Sequence, residues 1–154
     1  MLAQHALSDK RNVVLCNAFK DDFKNLKCRR ICEPEKVINF LNSLLENPYY
    51  HDPCLHVLID EGLVLCNNKA AVKSISSLLA VARHYGVYIT FITQISTKYD
   101  IPFKDLFNCR CLMKSISNSA ANVVLGENID THLKEREFIL LSDGIYRGTS
   151  YTVK

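Results

Sequence analysis

Short, almost wholly apolar runs alternate along this chain with longer stretches of helical periodicity, and that alternation restricts the fold more than any other feature. Val13-Val14-Leu15-Cys16 is the first run and ends at Asn17. Leu55-His56-Val57-Leu58-Ile59 is the second and leads into Asp60-Glu61-Gly62. Val87-Tyr88-Ile89-Thr90-Phe91-Ile92, β-branched or aromatic throughout, is the third and ends at Thr93-Gln94. Between the first two, Pro34 flanked by Glu33 and Glu35 opens a helix, because proline suits a first helical turn and acids suit its positive end. Val37, Ile38, Leu41, Leu44 and Leu45 form its apolar stripe, and Asn47-Pro48 ends it. A second helix runs from about Lys69 to Tyr85, with Val72, Ile75, Leu78, Leu79, Ala82 and Tyr85 on one face and Gly86 closing it. Strands that are apolar on both faces and are joined by helices imply a parallel sheet covered by helices.

Beyond the third run, Cys109 to Met113 reads as a fourth strand. Ser117 or Asn118 then caps a short helix to Leu125, with Gly126 just past its end. The tail changes character: Phe138-Ile139-Leu140-Leu141, an Asp143-Gly144 turn, and Ile145 to Val153 predict a β-hairpin. No repeat, low-complexity tract or Pro/Gly-rich linker interrupts residues 1–154, so a single domain is expected. The fold class is α/β, a mostly parallel sheet flanked by helices with a C-terminal β-hairpin.

Composition bounds the function classes. The 154 residues are 48% hydrophobic and 23% charged, the balance of a chain that buries a core. No apolar run approaches the roughly 18 residues of a transmembrane helix. Met1 to Ala6 has neither the basic start nor the apolar segment of a secretory signal, so a cytoplasmic protein is expected. A formal charge of +3 is too small to indicate nucleic-acid binding by itself. The basic residues Lys20, Lys24, Lys27, Arg29 and Arg30 read as a solvated face. Seven cysteines, an odd number without secretory context, read as reduced thiols rather than a disulfide framework. Their close pairs, Cys28/Cys32 and Cys109/Cys111, lack zinc-site spacing.

In parallel sheets, ligands bind beyond the carboxyl ends of the strands. Here those ends are Asn17, Asp60-Glu61 and Thr93-Gln94, all polar. An apolar strand closed by two acids fits the Walker B pattern. Asp60 would hold Mg²⁺ through a coordinated water, and Glu61 would orient and deprotonate an attacking water. The neutral amide of Gln94, one strand further on, could hydrogen-bond a γ-phosphate or that water. The plainer readings are an acidic loop start and a strand-capping glutamine.

These residues, taken in order, resemble the FtsK/SpoIIIE DNA translocases and their HerA-type relatives, among them conjugation and viral packaging ATPases. The resemblance covers about Leu55 to Val153. It is carried by His56-Val57-Leu58-Ile59-Asp60-Glu61, by Leu78 to Gln94 with its Ala82-Arg83…Gly86-Val87 and terminal Thr93-Gln94, and by Asn108-Cys109-Arg110-Cys111-Leu112-Met113. Ser115 to Leu125 is similar to a serine-rich helix entry, and Leu141-Ser142-Asp143-Gly144-Ile145-Tyr146 to the family's closing hairpin. The resemblance implies a RecA-like motor core that forms a ring, usually hexameric, and uses ATP and Mg²⁺ to move double-stranded DNA. It also implies arginines that reach a neighbouring subunit's nucleotide, for which Arg83 and Arg110 are the candidates. DNA contact would fall to pore loops, with Lys98, Tyr99 and Lys104 as candidates.

The chain departs from that pattern in one decisive place. No GxxxxGK[ST] occurs, and none of the five glycines is followed by Lys-Ser or Lys-Thr. That loop supplies the backbone donors and the lysine that hold phosphates. Met1 to Lys10 resembles the end of the helix that follows such a loop, and Asn17-Ala18-Phe19-Lys20 stands where the family often has Asp-Pro-Lys. The expectation is a motor core beginning after its P-loop, completed by a homo-oligomer or a P-loop-bearing partner and unable to hydrolyse ATP alone. The alternative is a degenerate, non-catalytic relative that binds DNA or a motor.

Overall fold

The computed structural model describes residues 2–16, 23–94, 101–114, 123–126 and 132–150. They belong to two compact units, Met1–Gln94 and Ile95–Lys154, each with its own sheet.

The first unit contains, in chain order, α1 (Leu2–Ser8), β1 (Asn12–Cys16), β2 (Arg29–Ile31), α2 (Pro34–Glu46), β3 (Leu55–Ile59), α3 (Leu63–Cys66), α4 (Lys69–Val81) and β4 (Val87–Phe91). Its four strands are all parallel, in the order β2-β1-β3-β4. β1 and β3 are central, and Val13 to Cys16, Leu55 and Val57 to Ile59 are all buried. Such strands have to be apolar on both faces, since helices cover both. On one face Val13, Leu15 and Leu58 pack with Ala6 of α1. On the other lie Val14, Cys16, Val57 and Ile59, and α2 and α4 bring the buried Val37, Leu41, Ile75 and Leu78 to the same unit's core. Ser74 ties the two helices together by donating to Asn42 Oδ1 at 2.5 Å.

The expected elements form, with three differences. Pro34 opens α2 and Glu46 ends it, as the stripe predicts. The long helical pattern after Lys69 divides instead: α4 stops at Val81 and a 3₁₀ turn carries Ala82 to Tyr85. Gly86 at φ 69° then reverses the chain into β4, a left-handed conformation suited to glycine. The helix start is set by Asn68, whose side chain accepts from the amides of Ala70 and Ala71. The second difference is β2. Arg29 and Arg30, read as part of a solvated basic face, are exposed residues of a short edge strand anchored by the buried Ile31. Arg29 lies over the ring of Phe40, Cζ 5.2 Å from its centroid.

The third difference concerns the second unit, formed by β5 (Arg110–Met113), β6 (Glu137–Leu141) and β7 (Ile145–Thr149). The run around Cys111 does not extend the parallel sheet. It pairs antiparallel with β6, and β6 pairs with β7 through the Ser142-Asp143-Gly144 turn. Leu112, Leu125 and Ile139 make this unit's core, with Val124, Leu133 and Leu141 packed around them. The last turn of the expected Ser117–Leu125 helix is present at residues 123–125, and residues 115–122 lie outside the described chain. Among the described residues no helix is long and apolar enough to cross a membrane.

Candidate functional site

Parallel register brings the carboxyl ends of β1, β3 and β4 to one edge, because Cys16 pairs with Ile59 and Ile59 with Phe91. The residues that follow β3 and β4 therefore emerge on that edge. Asp60 follows β3 directly, half-buried, and its amide donates to the carbonyl of Cys16 at 3.0 Å. The backbone then crosses toward β4: the Gly62 amide donates to the Ile92 carbonyl at 2.9 Å, and the Ile92 amide to the Ile59 carbonyl at 2.8 Å. This stitching holds the Asp60-Glu61-Gly62 turn over the end of the neighbouring strand.

Glu61 sits in that turn at φ 48°. A left-handed backbone is uncommon for a residue with a Cβ and costs on the order of 1 kcal/mol or more. Its side chain meets Gln94, whose Nε2 donates to Glu61 Oε1 at 2.5 Å. A hydrogen bond to a carboxylate is stronger than one between neutral groups. The acid of one strand end and the amide of the next are thus in direct contact. Asp60, Glu61 and Gln94 are assembled within one unit, as their order in the sequence implies.

The other expected site residues are placed elsewhere. Arg83 lies in the 3₁₀ turn at the amino end of β4, exposed. β4 is five residues long, so about 16 Å of strand separates that end from Gln94's. Arg83 therefore stands at the opposite edge of its own sheet from Asp60 and Glu61. Arg110 opens β5 in the second unit and is engaged locally, with Nη1 3.2 Å from Asp105 Oδ1. Lys104 joins the same carboxylate, Nζ at 2.8 Å. The hydrogen bond from Lys104 and the charges of Lys104 and Arg110 hold the Asp105 carboxyl below its ordinary pKa. Asn17, Lys98 and Tyr99 lie outside the described residues.

In the parallel sheet, Cys16 and His56 are held neutral. The Cys16 thiol is pushed up to about 12 by burial, against a smaller opposing pull from Arg29. It is an inert packing group rather than a nucleophile. His56, the second residue of β3, has Nε2 2.8 Å from Thr90 Oγ1. Burial first, and then the nearby Arg11, keep its pKa below the ordinary 6.5. Arg11 reaches across to lie 5.6 Å over the Tyr88 ring.

The left-handed backbone of Glu61 and the direct Glu61–Gln94 contact are invisible to strand-and-helix periodicity. Glycine directly after an acidic pair is the one sequence sign that the turn is tight.

No model of a known protein family matches the sequence, and no curated protein matches it. Solved structures do. The pCW3 conjugation coupling protein TcpA, in its monomer form with ATPγS, superposes with a TM-score of 0.74 at 11% identity, over 96% of this chain and 54% of that one. This chain thus spans about half the length of TcpA. The genome packaging NTPase B204 of Sulfolobus turreted icosahedral virus 2, with AMPPCP, gives 0.66 at 11% identity, over 99% of this chain and 89% of that one. The cytoplasmic domain of the type VII secretion ATPase EccC of Thermomonospora curvata gives 0.57 at 15% identity, over 96% of this chain and 16% of that one. Likeness at these identities shows a shared fold: a RecA-like α/β arrangement.

Proposed function

We propose that this chain is the post-P-loop part of an ATP-driven motor core of the FtsK/HerA kind, one that translocates or packages DNA. The observation that carries the reading is the contact of Glu61 with Gln94 beside Asp60, at the carboxyl edge of a parallel sheet. It is supported by a fold shared with TcpA and B204, proteins whose solved structures contain ATPγS and AMPPCP.

Each residue then has a role. Asp60 offers one half-buried carboxylate at a strand end, and Mg²⁺ characteristically takes one or two carboxylates with water and substrate phosphates completing its shell. The donor set fits that ion. Bound Mg·ATP would supply the phosphoryl group that is transferred. Glu61 would orient a water and accept its proton, and Gln94 would hold Glu61 when no phosphate is present and turn its amide to the phosphate when one is. Arg83, at the far edge of its own sheet, is suited to reach a neighbouring subunit rather than its own site. Arg110 would first have to leave Asp105.

The sequence contains no phosphate-binding GxxxxGK[ST], so the phosphates must be gripped by another segment or chain. Double-stranded DNA would be the polymer moved by the completed ring. The test is calorimetric titration of the 154-residue protein with Mg·ATP, with Asp60→Ala alongside. No heat of binding from either protein is the expected result. Binding that is present in the parent and lost in Asp60→Ala would overturn the prediction that the chain is inactive alone, while keeping the nucleotide site.

A further inference from the structure

The glycine that follows Glu61 packs closely against an aromatic ring from the neighbouring strand. Gly62 is buried, and the space where its Cβ would lie is taken by the ring of Phe91. A Cβ built on Gly62 would overlap Phe91 Cε2 and Cζ and meet Cδ2 at 2.8 Å. Real Cβ atoms do not approach ring carbons so closely, so residue 62 cannot gain a Cβ while the ring keeps its place. Phe91 pairs in register with Ile59, the last residue before the Asp60-Glu61 turn. Its half-buried ring therefore stands on the end of β4 and meets the turn from below.

Three restraints converge on this turn. The Gly62 amide is bonded to Ile92, the residue after Phe91. The carbonyls of Glu61 and Gly62 accept from the amides of Val64 and Leu65, at 3.2 and 3.0 Å, starting α3. The ring fills the remaining side. With both ends of the turn tied and its floor occupied, Glu61 is left at φ 48°, and its carboxylate points at Gln94. The strain at Glu61 persists because the surroundings over-determine it.

We propose that Phe91 is a positioning residue for the carboxylate–amide pair: its ring, seated on Gly62, sets the turn that presents Glu61 to Gln94. Its bearing on catalysis rests on the reading of Glu61 and Gln94 as the water-handling pair. Phe91 itself touches neither water nor phosphate in this scheme. It acts through Gly62, and Gly62 is required to be glycine by the ring and not by its own backbone dihedral.

The experiment follows the Gln94 side-chain amide by ¹⁵N–¹H NMR in the nucleotide-free protein. Glu61→Ala gives the position of the unbonded amide. In Gly62→Ala the Gln94 signal is expected to move to that unbonded position, with backbone signals of β1 and β2 unchanged. In Gly62→Ala/Phe91→Leu, where the smaller side chain makes room for the added methyl, it is expected to return to the parent position. Phe91→Ala alone, which removes the floor without adding bulk, is expected to shift the signal toward the unbonded position and keeps the idea testable should Gly62→Ala fail to fold. A Gln94 signal that stays at the parent position in Gly62→Ala or Phe91→Ala would sink the proposal, as would a double variant that is no closer to the parent than Gly62→Ala. Nucleotide is absent throughout, so failure here leaves the Mg·ATP titration to stand or fall separately.

Discussion

Gly86→Ala is the substitution whose cost the structure defines most closely. Gly86 sits between the 3₁₀ turn and β4 at φ 69°, where a Cβ costs about 1–2 kcal/mol. The new methyl would also lie 2.7 Å from the carbonyl oxygen of His51, a backbone atom that cannot rotate away. Relief requires moving the 51–54 segment. That segment is fastened by the His51 amide to the Tyr85 carbonyl and by the Leu55 amide to the Gly86 carbonyl, both at 2.9 Å. Losing one of these bonds adds about 1 kcal/mol. The expected loss is therefore about 2–3 kcal/mol, or roughly 8–24 °C in Tm for a unit of this size. Urea unfolding followed by far-ultraviolet circular dichroism measures it, with Gly126→Ala as the comparison. Gly126 has a similar φ of 75°, but its nearest neighbour to an added Cβ is the flexible Arg110 side chain at 3.9 Å. It should lose only the backbone contribution of about 1–2 kcal/mol. If the two substitutions cost the same, or if Gly86→Ala costs less than about 1 kcal/mol, the clash with His51 is not what fixes that turn.

The remaining predictions use the same transitions. His56 has a folded pKa below 6.5, so the unfolded chain binds its proton more readily. Stability should be intact above the ordinary histidine pKa and fall as pH drops below it, with a slope from this group of at most about 1.4 kcal/mol per pH unit. The fall should level off once the folded pKa is passed. His56→Leu should lack that part of the slope, and an unchanged pH profile would show that the group is not held neutral. The His56 Nδ1 is buried without a hydrogen-bond partner, so that substitution need not cost what loss of a fully satisfied polar group would. Ser74 is 5% exposed and has one hydroxyl proton shared between Asn42 Oδ1 and the Ala70 carbonyl. Ser74→Ala should cost about 1–2 kcal/mol in the same assay by leaving Asn42 Oδ1 short of a donor. Ile75→Ala, at a side chain with no exposure, should cost about 2–5 kcal/mol through the cavity it leaves.

Sequence alone determined the elements whose signal is local. Three mostly apolar runs became the parallel strands β1, β3 and β4, because a strand of a helix-covered parallel sheet buries most of its side chains. Pro34 and Gly86 marked a helix start and a chain reversal through their own backbone preferences, which need no partner. Parallel strands also commit their carboxyl ends to one edge, so the adjacency of Asp60-Glu61 and Gln94 was legible from order and polarity.

Tertiary structure decided what depends on pairing across distance. The Arg29-Arg30-Ile31 edge strand carries one buried side chain, too little to distinguish it from a solvated basic stretch. The Cys109–Met113 run looks like its parallel predecessors, yet it joins β6, because strand partners are chosen by packing and connection rather than by composition. Above all, the glycine after Glu61 packs against a ring that stands 29 residues further along the chain. Contacts of that kind are set by the shape of the assembled core, and shape is the property that a linear pattern does not carry.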